Sequence, residues 1–98
     1  MTVYELSSES VEIIYEWMAG EGYVPNRSAV LAWTAAVCTD PSSVITAKRP
    51  GNDEAAPVYV SHVDGCDVFV DFTYIEPDII NEVPGAVIVR KVVTFEGV

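Results

Sequence analysis

Val11, Ile14, Tyr15 and Met18 recur at i, i+3, i+4 and i+7, which marks one face of an α-helix. Ile13 and Trp17 widen that apolar stripe, while Glu9, Glu12 and Glu16 line the opposite side. Ser7 or Ser8 can cap the start, where the helix dipole favours the negative charge of Glu9 and Glu12. Gly20-Glu21-Gly22 ends the run. Beyond Tyr23-Val24-Pro25, Asn26 or Ser28 can cap a second helix that reaches about Cys38. Ala29, Val30, Leu31, Ala32, Trp33, Ala35, Ala36 and Val37 leave it almost no polar face, which predicts burial on most sides. Asp40-Pro41 stops it, because proline disfavours helical geometry in the residue before it.

The period then changes from helical to alternating. Ser43 to Lys48, with Val44, Ile45 and Thr46, reads as a short strand. Arg49-Pro50-Gly51-Asn52-Asp53-Glu54 is dense in turn formers and predicts an exposed loop. Val58 to Val63 is a strand, Asp64-Gly65 a two-residue hairpin turn, and Cys66 to Ile75 the clearest strand of the chain. Cys66, Val68, Val70, Phe72 and Tyr74 fall on one of its faces, with Asp67, Phe69, Asp71 and Thr73 on the other. Glu76-Pro77 breaks it. Asp78 to Gly85 reads as a loop or one helical turn anchored by Ile79 and Ile80, and valine-rich Ala86 to Phe95 as the last strand. Short links between strands favour antiparallel pairing. The expected architecture is α+β, with two N-terminal helices packed on a three- or four-stranded antiparallel sheet, as a single acidic domain over residues 1–98.

Charge narrows the function classes. Fifteen carboxylates face five Lys and Arg, a formal net charge of −10. Nucleic-acid binding needs cations that displace counterions from phosphate, and docking on anionic membrane needs them too, so neither direct nucleic acid nor membrane is the expected partner. A protein with a basic surface is. The start Met1-Thr2-Val3-Tyr4-Glu5 lacks the basic and apolar run of a secretion signal, and no stretch approaches a membrane span. The expectation is a soluble, cytoplasmic protein, in the host cytoplasm if it is viral.

The candidate chemistry is sparse. His62, Asp64 and Cys66 are metal-capable types spaced by two, but a turn at Asp64-Gly65 splays them, and structural zinc takes four ligands. With that turn Val63 faces Cys66, and His62 pairs across the ladder with Asp67. Cys66 with His62 as its base lacks any neighbouring oxyanion hole. Asp67 and Asp71, four apart on a strand, stand about 13 Å from each other, too far for a glycosidase pair. No catalytic residue, metal or cofactor is therefore expected. Cys38 and Cys66 fit reduced, buried thiols better than a disulfide framework.

Trp17 and Trp33 occupy apolar helical positions and belong to the core. Tyr59 and Phe69 share a parity with Ser61, Asp67 and Asp71. That face is either an aromatic patch ringed by carboxylates, suited to a protein partner, or partly covered. Glu76, Asp78 and Glu82 form a further acidic cluster before the last strand. The sequence thus points to a non-enzymatic protein-interaction module, with Glu9, Glu12, Glu16, Asp67, Phe69 and Asp71 as partner-binding candidates. In such a module the carboxylates would imitate a phosphate array and occlude a nucleic-acid-binding surface. The alternative is a structural or assembly protein that forms a homo-oligomer through an open edge of Ala86 to Phe95. In size, acidity and lack of a catalytic signature, the chain resembles the small inhibitor proteins carried by bacteriophages and mobile elements, anti-CRISPR proteins among them. The resemblance rests on these gross features and transfers no site residues.

Overall fold

A computed structural model of the chain describes residues 4–49 and 57–95. In chain order the elements are β1 (Tyr4–Leu6), α1 (Ser8–Gly20), α2 (Val24–Thr39), a 3-10 turn (Pro41–Val44), β2 (Ala47–Lys48), β3 (Tyr59–His62), β4 (Val68–Ile75) and β5 (Gly85–Thr94). The class is α+β, but the sheet has five strands in the order β1-β5-β4-β3-β2 and is mixed. β1 runs parallel to β5 and every other pair is antiparallel. This corrects the all-antiparallel expectation: three residues ahead of α1 carry too little local pattern to announce a strand whose partner lies about eighty positions away.

Ser7 caps α1, its side-chain oxygen accepting from the Ser10 backbone N–H. α1 packs along β5, and Ile14 at its buried centre joins Val87 and Val89 in the core. α2 starts at Val24 with Pro25 in its first turn, two residues ahead of Asn26. Proline suits that position because the N–H it lacks would have no helical partner. Only Val30, Trp33 and Val37 of α2 are buried, while Leu31, Ala32, Ala35 and Ala36 face out. The expected all-round burial fails because an exposed alanine leaves little apolar area in water, so one stripe suffices to seat the helix.

Trp33 anchors α2 on the sheet. Its Nε1 donates to the Ser61 hydroxyl at 2.8 Å, and its ring meets Phe72 edge-on at 5.7 Å. The alternation foreseen in β4 holds, with Val68, Val70 and Phe72 inward against the helices and Phe69 and Asp71 on the other face. A bulge between Asp71 and Phe72 leaves Arg90 without a partner, since Asp71 pairs with Lys91 and Phe72 with Val89. The segment expected as a strand from Ser43 is the 3-10 turn, and strand geometry is confined to Ala47–Lys48. Of the loop expected at Arg49 to Glu54, Arg49 is exposed and residues 50–54 lie outside the described residues.

Ser10, absent from every sequence-derived candidate, completes the sheet where β1 stops. Its hydroxyl donates to the Val87 carbonyl at 3.1 Å and accepts from the Val89 N–H at 2.6 Å, beside the Ser7 N–H that also binds Val87. A buried backbone group left unpaired is destabilising, so a helix side chain here stands in for a strand.

Tyr4 ties β1 to the far end of β4, its hydroxyl donating to Glu76 at 2.7 Å. That hydrogen bond, then burial, then the Glu76 charge push the phenol from 10.0 up to about 12. A pKa raised on folding means the stability it contributes is full below pH 10 and fades as pH rises toward 12. NMR titration of the Tyr4 ring should give a midpoint near 12 in the native protein. Glu76→Gln should bring it back toward 10, and an unmoved midpoint would mean the carboxylate is not the cause.

Candidate functional site

α1 turns Glu9, Glu12, Tyr15 and Glu16 outward together, because i, i+3 and i+7 spacing stacks side chains on one helix face. Tyr15, placed on the apolar stripe by periodicity, is 64% exposed; Ser10 and Ile14 form the buried centre, with Ile13 and Trp17 beside them. No Lys or Arg lies on α1. Among the described residues a single ion pair forms, Arg49 with Asp71, so none of the three glutamates is in a salt bridge, although Arg90 and Lys91 of β5 line the same shallow depression as Glu16. At the helix end, Trp17 Nε1 donates to the Thr94 hydroxyl, which donates to Glu21. Thr94, and next the Tyr23 N–H, hold the Glu21 carboxyl below its usual range.

Phe69 and Asp71 lie on the sheet face opposite the helices. Phe69 stacks on His62 with centroids 4.8 Å apart and meets Phe95 edge-on at 6.1 Å. Arg49 grips Asp71 with two nitrogens at 3.0–3.2 Å, which removes that carboxylate from the free acidic surface. Asp67 sits in the β3–β4 connection, its carbonyl accepting from the Phe95 N–H. The six partner-binding candidates therefore divide: Glu9, Glu12 and Glu16 on the helix side, Phe69 and Asp71 on the other, and Asp67 in the connection. One flat partner surface cannot cover both faces.

Tyr59 does not join Phe69. It pairs with Phe72 and Ser61 pairs with Val70, so both point to the helix side, and Tyr59 contacts the Phe72 and Tyr74 rings. The connection is also longer than expected. The Val63 N–H bonds the Val68 carbonyl, which closes a loop over Asp64 to Asp67, and His62 faces Phe69 rather than Asp67.

His62 and Cys66 are neighbours without forming a catalytic pair. His62 Nε2 lies 2.6 Å from the Cys66 carbonyl oxygen, while the Cys66 thiol donates to the Val63 carbonyl. Both thiols are free, and burial pushes each above the ordinary thiol range, opposite to what a nucleophile needs. Among the described residues no group of three or more His, Cys, Asp or Glu is placed to hold a metal ion. Beside His62 and Asp64 runs an open groove of about 580 Å³ along Ala29, Ala32, Trp33 and Ala36. It contains no Lys or Arg.

The segment between β4 and β5 departs furthest from expectation. Ile79 and Ile80, read as anchors, are 83% and 92% exposed. Asp78 and Val83 exchange two backbone hydrogen bonds of 2.9 Å, and Glu82 takes a left-handed φ of 57°. The Asp78 carboxylate accepts from the Asn81 side-chain amide at 2.7 Å and from the Asn81 N–H at 3.2 Å. Those two bonds, in that order, hold its carboxyl below the usual range. The result is a hairpin tip built by its polar residues with its isoleucines outward. Asp-x-x-Asn between Pro77 and Pro84 was the turn signal that could have disclosed it.

The strand proposed as an open edge is interior at its start, where β1 covers Gly85 to Val87 and Ser10 covers Val89. From Arg90 to Thr94 it has no partner strand on that side among the described residues. No described helix is long and apolar enough to cross a membrane. Fold and surface together define a small α+β domain with an acidic helix face, an opposite sheet face and a projecting apolar tip. No protein-family model matches the chain, nor does any curated protein or solved structure.

Proposed function

We propose that the protein is a non-enzymatic interaction module that docks the outer face of α1 on a basic protein surface, where it can occlude nucleic-acid binding by its partner. The observation that carries this reading is the row Glu9, Glu12 and Glu16, exposed, same-signed and without a cation on its helix. Like charges at i, i+3 and i+4 destabilise a helix by about 0.2–0.5 kcal/mol per pair, so the row works against α1 itself. Facing a basic partner, the same row speeds encounter and fixes orientation. A bacteriophage or mobile-element inhibitor is one biological setting for such a module.

A combined Glu9→Gln, Glu12→Gln and Glu16→Gln variant should keep its stability within about 1 kcal/mol, because relief of repulsion offsets the lost dipole contact of Glu9. Its affinity for the partner captured by wild type should fall roughly tenfold or more at low salt, with a flatter salt dependence. Surface plasmon resonance across a salt series reads both quantities. Equal binding by the two proteins at every salt concentration would exclude α1 as the docking face.

A further inference from the structure

We infer that the β4–β5 hairpin tip is a preorganised apolar anchor, with Ile79 and Ile80 entering an apolar pocket on a partner protein whose rim is basic. The inference rests on the interaction-module reading and adds the second half of the interface. Adjacent isoleucines at 83% and 92% exposure lie at the tip of a hairpin whose stems also carry half-exposed Ile75 and Val83. Scattered surface hydrophobes need no explanation, but four exposed apolar residues within nine positions of one hairpin mark a contact site.

The tip is also rigid by construction. The Asp78–Val83 bridge and the Asp78–Asn81 clamp fix the loop, and Pro77 and Pro84 restrict its two stems. An anchor held in its bound shape avoids the ordering entropy that weakens flexible contacts.

Charge selects the occupant. Glu76, Asp78 and Glu82 flank the isoleucines in sequence and are exposed, so the pocket they complement has Lys or Arg at its rim. Anionic lipid would repel those carboxylates. A second copy fits poorly, because its apolar groove carries Asp64 and no cation, and the chain has a net charge of −10. Tyr4 pairs with Gly85 at the base of the hairpin and bonds Glu76, and α1 begins four residues later, so the first turn of the acidic helix lies toward the tip while Glu16 lies at the Arg90–Thr94 end of β5.

The test places a diazirine side chain at position 80, irradiates the full chain in lysate of the source cells, and purifies the cross-linked protein. That protein is then titrated with wild type, with I79S/I80S and with the α1 glutamine variant. The expected result is a basic partner whose affinity falls at least about 100-fold with I79S/I80S, from two buried isoleucines lost. The urea midpoint of I79S/I80S should not change, since neither side chain is buried in the free protein. Undiminished affinity of I79S/I80S would overturn the inference. So would a cross-link to a second copy, flotation with phosphatidylserine vesicles through the tip, or no cross-link at all. A partner lost by the glutamine variant and kept by I79S/I80S rejects the tip and leaves the α1 reading standing. The reverse pattern rejects α1 and sustains the tip.

Discussion

Phe72→Ala should lower the unfolding free energy by about 3–5 kcal/mol, the range for deleting a large buried aromatic side chain. Phe72 is fully buried at the centre of β4 and joins the two layers of the fold. Trp33 of α2 meets it edge-on, and the Tyr59 and Tyr74 rings lie 6.0 and 6.4 Å away. Truncation would leave a void bounded by three aromatic rings, none of which can collapse into it without abandoning its own contacts. The Trp33–Ser61 hydrogen bond would loosen with it. Domains of this size are stable by about 5–15 kcal/mol in all, so the variant should lose at least about a fifth of that margin. Urea unfolding followed by tryptophan fluorescence measures it, with Phe72→Leu as a milder control expected to lose under about 1.5 kcal/mol. A loss below about 1 kcal/mol for Phe72→Ala would mean that the ring does not organise the core.

Gly85→Ala should be the next most damaging, at about 1–3 kcal/mol. A Cβ there would stand 2.7 Å from the Ile75 carbonyl oxygen and 2.5 Å from the Tyr4 ring. The ring can swing aside, but the carbonyl belongs to β4 and cannot. Moving the ring breaks its hydrogen bond to Glu76, so the Tyr4 phenol should titrate closer to 10.0 in the variant. Protection of the Ser7 amide, which donates to Val87, should fall in hydrogen exchange while the β4 amides stay protected. Stability within about 0.5 kcal/mol of wild type, with an unchanged Tyr4 midpoint, would show that β1 packs on Gly85 less tightly than described.

Much of the fold was legible because its signals are local. The 3.6-residue period of α1, the apolar run of α2 and the strict alternation of β4 follow from side-chain directions that each backbone imposes. Val68, Val70 and Phe72 were assigned to one face and are buried there. The candidate site was legible as residues but not as a surface. Glu9, Glu12 and Glu16 were grouped correctly because helical spacing places them together. Joining them to Phe69 and Asp71 required knowing which face of the sheet the helices cover.

Pairing defeated the remaining assignments. β3 and β4 pair with an odd residue sum, so odd-numbered Tyr59 faces even-numbered Phe72, and a parity count along the chain puts it on the wrong side. A four-residue connection in place of a two-residue turn then moves the partner of His62 two places, from Asp67 to Phe69. Ile79 and Ile80 looked like core because their composition is that of core. The geometry of a tip closed by Asp78 and Asn81 turns them outward instead.

Local pattern alone was enough to establish two helices, the faces of the long strand and the excess of carboxylate over cation. Sheet order, the parallel β1, the strand-like role of Ser10, the Arg49–Asp71 pair and the outward isoleucines emerged only with the assembled chain. Periodicity and charge are properties of neighbouring residues. A hydrogen bond between Ser10 and Val89, or a tip with nothing described packed over it, depends on where distant segments meet.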